Sequence, residues 1–144
     1  MITLDQVLSG RNILRAIKQV VSNKGAPGID GMTVDQYEAH HRRHWRSIAE
    51  HIRAGSYIPA PVRRVDIPKP NGGTRMLGIP TVQDRVIQQA IAQILVEAYD
   101  PHFSNSSYGF RPGRSALEAI EQASRYPVFF TEFPDFVHSF NHEH

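Results

Sequence analysis

The hydrophobic residues near the start of the chain recur with the period of an α-helix. They would share one face of a helix that begins near Asn12 and ends near residues 23–25, and they are Ile13, Leu14, Ile17, Val20 and Val21. A short helix before it is predicted by the capping-box pattern of Thr3–Gln6, in which two side chains accept N–H groups of the first turn. Gly10 separates the two helices, because glycine is unfavourable inside a helix.

A glycine-rich loop and a longer helix follow. The stretch NKGAPGIDGMT at residues 23–33 holds three glycines and a proline, which predicts an ordered loop. A second capping box at Thr33–Gln36 opens a helix that ends at Gly55. The apolar face of this helix includes Tyr37, Trp45, Ile48 and Ile52.

A β-hairpin and two more helices complete the predicted elements. The strands are Val62–Ile67 and Thr74–Ile79, and the turn between them contains Asn71-Gly72, two residues that tolerate positive φ. A helix capped by Thr81 runs to about residue 98, a long loop follows, and a capping box at Ser115 opens a helix that ends near residue 125. The predicted fold class is α+β, with helices around one β-hairpin.

Composition narrows the class of protein. The 144 residues suit one domain or a piece of a larger protein. The chain has no cysteine, which excludes disulfides and thiolate metal sites. We find neither a signal peptide nor an apolar run long enough to span a bilayer, so the expectation is a cytoplasmic protein without a membrane partner.

Positive charge is concentrated before residue 127. Residues 127–144 contain three acids and no lysine or arginine, so residues 1–126 hold all 16 basic residues against 11 of the 14 acids. Between Arg42 and Arg75 lie eight basic residues and two acids. Such a cluster suits a polyanion, above all nucleic acid, and a solvated charged surface is the alternative.

The predicted hairpin carries a basic residue on each side of its turn. Lys69 lies at one shoulder and Arg75 just past the other. A compact lysine charge and a planar arginine fork together suit a polyphosphate. A surface hairpin with solubilising charges is the alternative that this spacing leaves open.

Several long stretches resemble the fingers region of group II intron reverse transcriptases, the maturase family. They are IPKPNGGTRMLGIPTVQDRVIQQAI, SYGFRPGRSALEAI, NKGAPGIDGMT and GSYIPAPVRRVDIPKP. The resemblance begins at about residue 4, and residues 1–126 are assigned to the fingers region. This region contains a template loop at 23–33, a hairpin at 62–79 and a further motif at 107–115. It implies the fingers subdomain of a right-hand polymerase with the palm largely missing, and residues 127–144 as a divergent or truncated start of the palm.

The resemblance also implies roles for individual residues. Lys69 should contact the terminal phosphates of an incoming deoxynucleoside triphosphate (dNTP), and Arg75 should reach the phosphates and lie over the base. Arg63 and Arg64 alternate in direction along a strand, so at most one should face the nucleic acid. The residues implied to bind template or other RNA are Lys24, Gly25, Gly28, Gly31, Arg63, Arg64, Arg111 and Arg114. Tyr108 and Phe110 should pack beside a base or in the core, and Asp30 should fix its loop through backbone hydrogen bonds.

The acidic residues that hold Mg²⁺ in this family have no clean counterpart here. The Tyr-Ala-Asp-Asp motif is absent, and in ungapped register Phe130 occupies the place of the first metal-binding aspartate while Glu132 occupies the second acidic place. We therefore predict no catalytic or metal-binding residue. The resemblance implies Mg²⁺ and dNTP for the full-length members of the family, and we expect this chain alone to hold neither as a resident cofactor. The pair His40 and His44 is interpreted as a solvated helix face.

The predicted function is that of an N-terminal fragment of an RNA-directed DNA polymerase. It would bind RNA template, an RNA/DNA hybrid and dNTP phosphates, and would not be catalytic without a missing palm and thumb half. The alternatives are a non-catalytic RNA-binding or intron-folding module and a degenerate relic. A truncated gene, a frameshift and a split protein are equally compatible origins.

Overall fold

The computed structural model describes residues 2–125. The predictions for Phe130, Glu132 and the start of the palm lie outside these residues. The chain divides into two compact units, Met1–Ala98 and Tyr99–His144. Among the described residues, none of the helices combines the length and the apolar character needed to cross a membrane.

The predicted order of helices and strands is confirmed. Helix α2 begins two residues earlier than predicted, at Gly10, which therefore opens this helix instead of merely preceding it. The helices are α1 Leu4–Val7, α2 Gly10–Ser22, α3 Val34–Arg53, α4 Val82–Tyr99 and α5 Ala116–Ser124, and the strands are β1 Arg63–Pro68 and β2 Thr74–Ile79. A 3₁₀ turn, Asp100–His102, follows α4.

The core of the first unit lies between α2, α3 and α4. Its largest fully buried side chains are Tyr37, Ile13, Val82 and Val86. Trp45 packs against this cluster, as its helical spacing predicted. Leu14 does not, because 65% of it is exposed, and the prediction that it belongs to the buried face of α2 is wrong.

Buried polar side chains connect the helices of this unit. The Asn12 side chain donates to the Val7 and Ala90 carbonyl oxygens, at 2.8 and 2.9 Å, and accepts from Gln93 at 2.8 Å. The Tyr37 hydroxyl donates to Gln83 at 3.0 Å, and burial raises the pKa of Tyr37 far above its ordinary value. These bonds compensate the loss of water around polar groups and fix how the helices pack.

The hairpin is antiparallel, with Arg63 opposite Ile79 and Ile67 opposite Arg75. The turn closes through two hydrogen bonds, from the Lys69 N–H to the Gly73 carbonyl and from the Gly72 N–H to the Lys69 carbonyl. Positive φ falls on Gly72 and Gly73, at 84° and 80°, and not on Asn71. The hairpin is therefore confirmed, whereas the predicted turn geometry at Asn71-Gly72 is shifted by one residue.

Candidate nucleic-acid interface

The buried carboxylate of Asp84 holds both ends of the hairpin in place. It accepts from the Tyr57 hydroxyl at 2.7 Å and from the Ala60 N–H at 3.1 Å, both in the segment that leads into β1. It also accepts from the Thr81 hydroxyl at 2.6 Å, just after the end of β2. The entry to β1 and the exit from β2 are thus bound to one side chain in the first turn of α4.

The local sequence explains why Asp84 stands there. The Thr81 hydroxyl accepts the Asp84 N–H at 3.1 Å, which is the N-cap bond predicted for this helix. A carboxylate in the first turn also interacts favourably with the helix dipole. Burial, together with the bond to Asp84, raises the pKa of Tyr57 well above its ordinary value, so this hydroxyl keeps its proton and remains a donor.

Lys69 and Arg75 lie near the turn, away from the Asp84 anchor. Both are exposed, and neither belongs to an ion pair within residues 2–125. Arg75 is opposite Ile67, so these two side chains share one face of the hairpin. As far as the described part of the chain extends, these are two uncompensated cations beside a turn whose two glycines add no side chains.

Arg63 and Arg64 point to opposite faces, as the strand period predicted. Arg64 is exposed and pairs with Asp66 at 3.3 Å. Arg63 is half-buried on the face shared with Ile67 and Arg75, and its Nε is buried without an acceptor among the described residues. Of the two, Arg63 is the one with unused hydrogen-bonding capacity on the Arg75 face.

The loop at residues 23–33 lies against the start of α4. The Arg85 guanidinium donates to the Ala26 carbonyl at 2.8 Å, and the same guanidinium occupies the space beside Gly25. A Cβ on Gly28 would lie 2.6 Å from the Thr81 Cα. Gly28 is therefore required by packing against backbone, which is a different reason from the predicted close approach to phosphate, whereas at Gly25 the neighbouring atoms belong to the flexible end of the Arg85 side chain.

The far side of this loop is open. Gly31 has φ +71°, and no atom of residues 2–125 lies within 4 Å of where a Cβ would stand, so this part of the chain leaves its backbone accessible. Lys24 also has positive φ, at 48°, and is exposed. The Asp30 carboxylate accepts the Met32 N–H at 3.2 Å, which confirms the predicted role of Asp30 in fixing the loop.

In the second unit, Arg111 organises the loop before α5. Its guanidinium pairs with the Asp100 carboxylate at 2.8 Å and donates to the carbonyl oxygens of Asp100, Ser104 and Ser107 at 2.8–3.0 Å. Only 8% of the Arg111 side chain is exposed. The Arg111 partner lowers the pKa of Asp100, mainly through this hydrogen bond. These contacts favour a structural role for Arg111 over the predicted RNA contact.

We expect Arg111→Lys to loosen this loop, because one ammonium group cannot replace the planar fork that reaches four acceptors. Amide hydrogen exchange between residues 99 and 115 should accelerate, while exchange in α2 and α3 stays unchanged. Arg125→Lys is the matched control, since Arg125 is exposed and makes no ion pair within the described residues. Equal exchange in the two variants would contradict the structural role.

Arg114 and two aromatic residues lie near Arg111 in the sequence. The Arg114 guanidinium stands over the Tyr108 ring, 5.3 Å from its centroid, so the half-buried Tyr108 packs with an arginine. Phe110 has φ 57° and is wholly exposed within the described residues, so core packing does not account for it there. Arg114 thus retains its predicted candidacy as a nucleic-acid contact.

Sequence reasoning missed the anchor formed by Tyr57, Asp84 and Thr81, and it missed Arg85 as the support of the glycine loop. The predicted N-cap at Thr81 located only the half of the anchor that is local in sequence. In residues 2–125, no three or more histidine, aspartate or glutamate side chains come together in a way that could hold a metal ion. The described residues therefore do not fit the Mg²⁺ that the resemblance implies.

Comparison with known proteins finds a matching family model and several relatives. A family model described as reverse transcriptase (RNA-dependent DNA polymerase) matches residues 67–142. Protein YkfC of Escherichia coli K12 is 38% identical over 110 residues, which is 75% of this chain and 29% of that protein. The group II intron-encoded protein LtrA of Lactococcus lactis is 39% identical over 111 residues, 76% of this chain and 18% of LtrA.

A yeast relative extends the match. The putative COX1/OXI3 intron 2 protein of Saccharomyces cerevisiae is 32% identical over 125 residues, 85% of this chain and 14% of that protein. The chain thus spans less than a third of the length of these relatives.

Proposed function

Since the chain belongs to the reverse transcriptase family and its relatives include group II intron-encoded proteins, we propose that it is the fingers portion of an RNA-directed DNA polymerase of that kind. In this proposal the chain binds RNA template and the phosphates of an incoming dNTP. In the same proposal, residues 1–144 by themselves do not polymerise DNA.

The observation that carries the proposal is the hairpin with Lys69 and Arg75 beside its turn. Both cations are exposed and free of ion pairs within the described residues, so a triphosphate need not displace a carboxylate to reach them. Phosphoryl transfer depends mainly on positioned charge around the phosphates. Arg63 lies on the same face as Arg75, closer to the anchored end of the hairpin.

The template side of the proposal rests on the glycine loop and on the remaining basic residues. The accessible backbone at Gly31 and the exposed Lys24 suit a phosphodiester chain that passes close to the loop. Arg64 is also available, because an exposed pair with Asp66 contributes little and is easily exchanged for a phosphate. Arg114 is the corresponding candidate in the second unit.

The double variant Lys69→Ala/Arg75→Ala tests the dNTP site. We expect its affinity for dATP, measured with a bound RNA template and DNA primer, to fall at least about tenfold, since hydrogen bonds to charged groups contribute about 1.5–3 kcal/mol each. Arg42→Ala/Arg46→Ala is the control, because these exposed arginines pair along α3 with Glu38 and Glu50. The control should keep the dATP affinity of the unmodified chain.

The outcomes separate the candidate functions. Unchanged dATP affinity in the hairpin variant would place the dATP site away from Lys69 and Arg75, and absence of dATP binding by the unmodified chain, with RNA binding intact, would favour a non-catalytic RNA-binding module. Robust primer extension by the pure chain, with an RNA template and Mg²⁺, would overturn the proposal that it does not polymerise DNA alone.

A further inference from the structure

An open pocket of about 530 Å³ lies between the glycine loop and the first half of α3. The loop lines this pocket with Asp30 and Gly31, and α3 lines it with its basic face. On the helix side the residues that carry chemistry are His40, Arg43 and His44. The loop backbone at Gly31 borders the same pocket, so a chain lying along the accessible side of the loop would reach it.

The arginine of this pocket differs from its neighbours along α3. Arg42 pairs with Glu38 at 3.9 Å and Arg46 with Glu50 at 3.4 Å, whereas Arg43 forms no ion pair within residues 2–125. A cation that lines a pocket without a carboxylate partner is available to an anionic ligand.

The two imidazoles add charge that depends on pH. Their ring centroids are 4.5 Å apart. Burial lowers the pKa of His40, and the neighbouring His44 lowers it further, while Asp30 acts in the opposite direction. Burial and then His40 lower the pKa of the adjacent His41. Among the described residues that line the pocket, Asp30 is the one carboxylate, and it already accepts the Met32 N–H.

We propose that this pocket binds a backbone phosphate of single-stranded RNA, held by Arg43 and by the protonated imidazoles of His40 and His44. The proposal extends the proposed function, because it adds an RNA contact on α3 beyond the glycine loop. A metal ion is the less suitable occupant, since no third ligand joins the two histidines among the described residues. An imidazolium donates two N–H groups, and a phosphate oxygen accepts them.

The proposal has a definite pH dependence. Because the folded pKa of His40 is lowered, the stability that its neutral form provides is present above the unfolded pKa and is lost as pH falls through the folded pKa. A bound phosphate favours the charged form of an imidazole that donates to it. RNA binding therefore takes up protons, and affinity should rise as pH falls.

Binding of the full chain to fluorescein-labelled oligo(U), at about pH 6 and about pH 8 and constant ionic strength, tests the site. The unmodified chain should bind at least about fivefold more tightly at the lower pH. His40→Gln/His44→Gln should lose this difference, and Arg43→Gln should bind more weakly at both values. Arg46→Gln and His102→Gln are the controls and should behave like the unmodified chain. Full pH dependence in the double histidine variant would overturn the proposal.

Three further readouts keep the result interpretable. Circular dichroism at both pH values checks that each variant is folded. Inorganic phosphate should not displace the RNA, and loss of the pH-dependent part alone on adding phosphate would identify a free-phosphate site and overturn the RNA assignment. Lys69→Ala/Arg75→Ala should keep the pH dependence of RNA binding. A negative result for dATP binding at the hairpin therefore does not contradict the phosphate site on α3, and a negative result for that site does not contradict the dATP site.

Discussion

Asp84→Ala is expected to lower the free energy of unfolding by about 3 kcal/mol, because it leaves three donors without their acceptor. These donors are the hydroxyls of Tyr57 and Thr81 and the N–H of Ala60, which bind the Asp84 carboxylate at 2.6–3.1 Å. Only 4% of Asp84 is exposed, so the variant removes a buried acceptor. Thermal or urea unfolding followed by circular dichroism measures the effect, and the melting temperature should fall by about 10 °C or more.

Asp66→Ala is the matched control for this loss of a carboxylate. The Asp66 side chain is 49% exposed and pairs with Arg64 on the outer face of the hairpin. Exposed pairs of this kind contribute about 0–1 kcal/mol, so the free energy of unfolding should change by less than about 1 kcal/mol. Similar losses in the two variants would show that Asp84 is not an anchor.

The anchor also connects stability with the proposed function. The same carboxylate binds the segment before β1 and the residue after β2, so its loss frees both ends of the hairpin that carries Lys69 and Arg75. Tyr57→Phe removes one of the three bonds and should reproduce part of the destabilisation. This destabilisation should be accompanied by faster amide exchange at the Ala60 end of β1 and the Thr81 end of β2, since a hairpin with a weakened anchor opens more often.

The elements of the fold could be predicted because their signals are local. The capping boxes at Thr3 and Ser115 bind residues three positions away, and both form as the pattern indicates. The anchor could not be predicted, because Asp84 meets Tyr57 across 27 residues of sequence. Asn12 is similar, since its bond to Ala90 spans 78 residues. Periodicity identifies the faces of an element and does not identify their distant partners.

The candidate site shows the same division. The opposite directions of Arg63 and Arg64 follow from the strand period alone. The structural role of Arg111 does not follow from a sequence period, because a basic residue in a loop motif predicts a nucleic-acid contact as long as its acceptors are unknown. Its acceptors are the Asp100 carboxylate and the carbonyl oxygens of Ser104 and Ser107, which the folded loop brings together. A sequence shows which residues are charged, whereas only a structure shows whether the hydrogen-bond donors of a basic side chain already have acceptors within the protein.

Gly28→Ala is expected to lower the free energy of unfolding by about 2–3 kcal/mol, because the added methyl group has no room. Its Cβ would lie 2.6 Å from the Thr81 Cα, 2.7 Å from the Thr81 N and 2.9 Å from the Pro80 carbonyl oxygen. These are backbone atoms, so a change of side-chain rotamer cannot relieve the overlap. Either the glycine loop or the first turn of α4 must move, and urea unfolding of the variant measures the cost.

Gly10→Ala separates this steric effect from a general cost of replacing glycine. A Cβ at Gly10 meets nothing within 4 Å, and alanine is favoured over glycine in a helix, so stability should stay the same or rise by up to about 1 kcal/mol. Since Thr81 also binds Asp84, moving it in Gly28→Ala should strain the hairpin anchor as well. The combined variant Gly28→Ala/Asp84→Ala should therefore lose less stability than the two single losses added together. Simple additivity would mean that the glycine loop and the hairpin anchor are independent.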